Sequence, residues 1–157
     1  MKRGANESKE NDMPFKRVLC GIDFSAPSIG AFHTAVKLAR QGKAELHVLH
    51  VIEAQPVVPG WLPADGLGQV TLMIEEKANS AMKALMKSSS RALKGLKVST
   101  EIEDGRAFTE IISRAHEWKA DLIVIGAKGA ASVEEMVAGG TAENVVRIAQ
   151  CSVLIVR

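Results

Sequence analysis

The chain has 157 residues, 46% of them hydrophobic, which is enough for one globular domain with a real core. Its 20 basic residues nearly balance 18 acidic ones, a formal net charge of +2 that leaves no electrostatic footprint for nucleic acid or a membrane surface. No apolar run is long enough to span a bilayer, and Met1 to Asn11 lacks the apolar stretch of a signal peptide, so a cytoplasmic protein is expected.

Residues 1–14 are polar and of mixed charge and are expected to form a disordered tail, with one domain over 15–157. A first strand is predicted over Arg17–Asp23, apolar on both faces as in a parallel sheet covered on both sides. A helix over Ser28–Arg40 follows, with Ile29, Phe32, Ala35, Val36 and Ala39 on one stripe and Ser28 as its cap. Gly42 is expected to end it. A second strand is predicted over Glu45–Val51. Ala54 to Gly68, rich in proline and glycine, reads as a long connection, and long connections are often lids or binding loops.

Helical spacing returns from about Val70 to Leu93, with Ile74, Ala78, Ala81 and Leu85 aligned and Met73, Met82 and Met86 as core or interface filler. Lys97–Glu103 alternates like a strand near a sheet edge, and Phe108, Ile111, Ile112 and Ala115 mark a third helix. Leu122–Ile125 is the fourth strand, Ala142–Ala149 the last helix and Val153–Val156 the last strand. This alternation predicts a doubly wound parallel α/β sheet, whose ligands bind outside the carboxyl ends of the strands where strand order reverses. Asp23, Val51 and Gly126 fall at such ends.

The glycines after the fourth strand are the main chemical signal. Gly126-Ala-Lys-Gly129 is followed by nine residues and then by Gly139-Gly140-Thr141 at the start of the last helix. A glycine-rich loop running into a helix N-terminus offers free N–H groups and a positive dipole end, the requirements for holding phosphate. The same glycines can equally serve turns and close helix–strand contacts, and on pattern alone the two readings are evenly weighted. Asp23 can accept hydrogen bonds from a ribose or base, or from the N–H groups of its own turn. Lys128 can meet phosphate or stand in solvent, and Trp61 can pack over the crevice or only anchor its loop. Glu134 and Glu135 lie in the glycine loop and would repel phosphate if turned inward.

Other chemistries find little support. His33, His47, His50 and His116 show no metal-ligand spacing and no acidic cluster beside them in sequence. Cys20 and Cys151 read as two thiols in a reducing compartment rather than a disulfide. Walker, nucleophile-elbow and dinucleotide-binding glycine motifs are all absent.

Taken together, Val18-Leu-Cys-Gly-Ile-Asp-Phe-Ser25, Leu46-His-Val-Leu-His-Val51, Ala120-Asp-Leu-Ile-Val-Ile-Gly126 and Gly139 through Arg157 resemble the universal stress protein family. The resemblance runs from about Lys16 to Arg157. It implies a five-stranded parallel sheet of order 3-2-1-4-5, Rossmann-like, and a homodimer joined through Val153 to Val156. It also implies ATP or AMP as ligand, with Mg as a candidate companion.

In the family's nucleotide-binding branch the matching positions assign Asp23 and Val51 to the adenosine end, Gly126 to ribose, and Gly129, Gly139 and Gly140 to phosphates. Gly21, Lys128 and Thr141 complete the candidate set. One departure stands out: the family's Ser or Thr after the third motif glycine is Gly140 here, with the hydroxyl of Thr141 one place later. Loss of one hydroxyl donor costs on the order of 1 kcal/mol, so weaker nucleotide binding than the full motif gives is expected. The expected role is regulatory, with at most slow ATP hydrolysis. The competing expectation is a dimeric interaction module that binds no nucleotide.

Overall fold

In the computed structural model, which describes residues 14–53, 64–127 and 140–157, five parallel strands lie in the order β3-β2-β1-β4-β5. They are β1 (Arg17–Ile22), β2 (Glu45–Ile52), β3 (Val98–Asp104), β4 (Leu122–Gly126) and β5 (Ser152–Val156). The expected fold class and strand order are both present. Order reverses between β1 and β4, which pair in parallel from Val18 with Leu122 to Cys20 with Val124.

Two apolar clusters cover the two faces of the sheet. On one face, Val18, Cys20 and Ile22 of β1 and Leu46 and Val48 of β2 pack against α1 (Ala26–Gly42) and α2 (Ala64–Ser88). There Phe32, Ala35, Val36 and Ala39 form the predicted stripe, joined by Met82 and Leu85. On the other face, Leu19, Leu49, Ile123 and Ile125 meet Ile111 and Ala115 of α4 (Ala107–Glu117) and Val145 of α5 (Thr141–Ile148). The central strands are buried on both sides, which is why their sequences run apolar without alternation.

Several boundaries differ from the sequence expectation, each for a local reason. The cap of α1 is Ser25 rather than Ser28; its side chain accepts from the Ser28 N–H at 3.4 Å. The helix runs through Gly42, and the left-handed residue that closes it is Lys43, with φ 50°. Helix α2 begins at Ala64 and includes Gly66 and Gly68, because a helical glycine costs only about 1 kcal/mol and is a weak stop. It stops at Ser88, where the Ser88 hydroxyl donates to the Leu85 carbonyl at 3.0 Å and competes with the backbone ladder. A separate turn, α3 (Ser90–Leu93), follows. Met82 and Met86 pack in the core as expected, but Met73 is 68% exposed.

Candidate functional site

The strand-order reversal brings the carboxyl ends of β1 and β4 side by side. At the end of β1 the chain turns sharply through Asp23, Phe24 and Ser25 into α1. Asp23 Oδ1 accepts from the Ser25 N–H at 2.9 Å and from the Ser25 hydroxyl at 2.5 Å. The Asp23 N–H donates to Ser28 Oγ at 3.2 Å, and the Ser28 hydroxyl donates to the Ser25 carbonyl at 3.0 Å. Phe24 has φ 64°, a left-handed conformation that a bulky side chain seldom adopts. The turn reading of Asp23 is therefore realised, through Oδ1 among other contacts. Asp23 is half-buried, directly after the carboxyl end of β1.

Gly126 ends β4 against the first turn of α1. A Cβ there would lie 3.0 Å from Pro27 C and 3.0 Å from Ser28 N, so a close backbone contact demands glycine. The next residue, Ala127, donates its N–H to the Val156 carbonyl at 2.7 Å, which ties the start of the glycine loop to the end of β5. Gly21 is buried in β1, where a Cβ would meet Ile111 Cδ1 at 3.0 Å and Ile125 Cγ2 at 3.1 Å; this glycine serves packing against α4. Val51 is half-buried and packs with the Leu49–Ile123 cluster.

The last helix, α5, starts at Thr141. Its cap is Gly140, with φ −65° and ψ 165° and no side chain to satisfy the first-turn N–H groups. Asn144 N–H and Asn144 Nδ2 both donate to the Gly140 carbonyl, at 3.1 and 3.3 Å. A Cβ at Gly140 would meet nothing within 4 Å. Thr141 opens the helix, and Glu143 in its first turn pairs with Arg147 at 3.2 Å. Lys128, Gly129, Gly139, Glu134, Glu135 and Trp61 lie outside the described residues.

Sequence spacing missed two constellations because β-register, not sequence distance, makes them. His50 of β2, the register partner of Ile22, places Nδ1 2.8 Å from the Ile22 carbonyl and its ring 4.6 Å from that of Phe24. His47 is buried on the other face with Nδ1 2.6 Å from Ser99 Oγ and Nε2 2.9 Å from Glu101 Oε2. Glu101 also binds Arg114 at 2.5 Å, and Arg114 reaches Glu103 and Glu117 at 3.2 Å each. A carboxylate only accepts, so His47 carries a proton on Nε2 and donates it to Glu101. This network locks β3 and α4 together at the edge of the sheet. The described residues contain no group of three or more His, Cys, Asp or Glu suited to a metal. No helix among them is long and apolar enough to cross a membrane. Burial pushes the Cys20 thiol up to about 12, which makes it an inert core group.

The comparisons with known proteins agree with this architecture. The family model described as the universal stress protein family matches residues 14–157. The chain is 32% identical over 144 residues to Universal stress protein MJ0531 of Methanocaldococcus jannaschii, covering 91% of this chain and 82% of that protein. Among solved structures, universal stress protein UspA from Lactobacillus plantarum superposes with a TM-score of 0.75 at 26% identity, over 90% of this chain and 97% of that one. A universal stress protein solved in complex with cAMP shares the fold, with a TM-score of 0.59 at 24% identity over 91% of this chain and 97% of that one.

Proposed function

This chain belongs to the universal stress protein family, and we propose that the crevice between β1, β4 and α5 holds an adenine nucleotide, ATP or AMP, as the ligand of a cytoplasmic regulatory dimer. The observation that carries the reading is the meeting, at the strand-order reversal, of the Asp23 turn with the glycine end of β4, followed in the chain by the uncapped N-terminus of α5. Asp23 and Val51 take the adenosine end, with Gly126 against ribose. Lys128, Gly129, Gly139, Gly140 and Thr141 take the phosphates, through backbone N–H groups, the lysine charge and the threonine hydroxyl. Gly21 contributes by letting β1 sit tightly on Ile111 and Ile125 beneath the turn. That a solved protein of this fold holds cAMP supports the choice of ligand class. Mg²⁺ has no protein cluster of its own among the described residues, so it enters only as a companion of the phosphates.

The dimer joins through Val153 to Val156. Strand β5 is a sheet edge, Ile155 on it is 40% exposed, and Val146 and Ile148 of α5 are exposed as well. A second reading, a nucleotide-free interaction module, is favoured by one specific finding: Asp23, Gly21 and Gly126 each have a structural task without any ligand.

Titration calorimetry with ATP and with AMP, alongside native mass spectrometry of freshly purified protein, separates the two readings. Nucleotide binding by wild type and its loss in Gly129→Val, with mass unchanged, supports the first. A clean dimer that takes up neither nucleotide establishes the second. Turnover is followed as released phosphate, and a slow rate at most is expected.

A further inference from the structure

We propose that His50 is a positioning residue for the crevice: it clamps the Asp23–Phe24–Ser25 turn in the left-handed conformation that sets the Asp23 carboxylate at the mouth. The positioning role rests on the nucleotide reading above; the clamp itself does not.

Among the described residues, three other than glycine have positive φ: Phe24, Lys43 and Lys119. Lys43 caps α1, and Lys119 directly follows the Trp118 cap of α4, places where a left-handed residue is ordinary. Phe24 is different. It is aromatic, it lies between a strand and a helix, and it neighbours the carboxylate assigned to the ligand. Strain of this kind persists only where surrounding structure over-determines it, and it gathers at functional sites.

The surrounding structure is specific. From one side, α1 holds the turn through Ser28 Oγ to the Asp23 N–H and through the Ser25 pair on Asp23 Oδ1. From the other side, β2 holds it through the side chain of His50. The Ile22 carbonyl can only accept, so His50 Nδ1 at 2.8 Å carries the proton and donates. The same imidazole lies against the Phe24 ring, with centroids 4.6 Å apart and planes tilted by 46°. One ring thus grips the residue before Asp23 through a hydrogen bond and the residue after it through packing. Histidine suits both tasks, since a phenyl ring has no donor and an amide no aromatic face. His50 reaches no reacting atom in this arrangement; it acts through Asp23.

The test uses the full chain with three variants. His50→Leu removes donor and aromatic face, His50→Asn keeps an amide donor near the Nδ1 position, and Phe24→Gly removes the strained side chain. Backbone chemical shifts of nucleotide-free protein come first. His50→Leu is expected to move the signals of Asp23, Phe24 and Ser25 while leaving those of β5 in place, and His50→Asn to bring them part of the way back. AMP calorimetry comes second. His50→Leu is expected to weaken binding about three- to tenfold, the worth of one hydrogen bond, with partial recovery in His50→Asn.

Unmoved turn signals in His50→Leu overturn the clamp. Moved signals with unchanged AMP affinity overturn the positioning role. If His50→Leu fails to fold, Phe24→Gly decides: moved turn signals with weakened AMP binding support the proposal, and wild-type binding overturns it. Wild-type protein that binds neither AMP nor ATP refutes the nucleotide reading, while the nucleotide-free spectra still judge the clamp.

Discussion

Replacing Gly126 by alanine tests the close approach of β4 to α1, and three glycines of contrasting surroundings give the experiment its internal scale. At Gly126 the new Cβ meets backbone atoms, Pro27 C and Ser28 N, both at 3.0 Å, with Pro27 Cβ at 3.2 Å. Backbone cannot rotate away, so either β4 or the first turn of α1 must shift, and overpacking of this kind costs about 1–3 kcal/mol. Alanine also restricts the unfolded chain, which returns about 0.4–1 kcal/mol. The net expectation is destabilisation by about 1–2 kcal/mol, or a fall in Tm of roughly 2–8 °C for a chain of this size. Gly21→Ala meets only side-chain atoms, Ile111 Cδ1 and Ile125 Cγ2, which can give by a few tenths of an ångström. It is expected to lie between zero and about 1 kcal/mol of destabilisation, on the same overpacking scale. Gly140→Ser has nothing within 4 Å, an extended backbone at a helix cap, and a hydroxyl that can serve the first turn of α5. It is expected to stabilise by a few tenths of a kcal/mol or more. Thermal and urea denaturation of the three variants, followed by circular dichroism, give the order. If Gly126→Ala equals or exceeds wild type in stability, the close approach of β4 to α1 does not exist as described, and the reason given for this glycine is wrong.

The same Gly140→Ser variant is expected to bind ATP a few-fold to tenfold more tightly by calorimetry, since it restores a hydroxyl at the family's place; weaker binding would mean that Thr141 already fills that role. Ile155→Lys puts a charge on the exposed face of β5 and is expected to give a folded monomer in light scattering, whereas Leu154→Lys, which faces the core, should unfold or aggregate; an unchanged Ile155→Lys dimer removes β5 from the interface. Glu53 Oε1 accepts from the Ala107 N–H at 2.8 Å, so Glu53→Ala should cost about 1 kcal/mol through the lost cap of α4, read by urea denaturation; an unchanged midpoint would refute the cap. Cys20 has its thiol raised from 9.0 to about 12, so the unfolded chain releases this proton first as pH rises, and stability should fall through that window by up to about 1.4 kcal/mol per unit. Cys20→Ala should flatten that slope; a parallel slope would show that other groups cause it.

Apolar runs and their spacing were enough to determine strands, helices and the parallel sheet, because a strand buried on both faces has no room for polar alternation. Leu19, Val48 and Ile123 needed no partner information to be placed in a core. The Asp23 turn and the glycine end of β4 were also legible, since carboxylates and glycines mark strand ends by local chemistry. Residue spacing could not show which serine caps α1, because Ser25 and Ser28 both suit a helix start and only the path of the turn selects Ser25. Nor could it show that Gly126 is required by α1, or that His50 grips Ile22 and His47 meets Glu101. Those contacts join residues 28 and 54 positions apart, and a pairing register set by the whole sheet decides them. A local pattern carries the period of an element; it carries nothing about which neighbour the element will face.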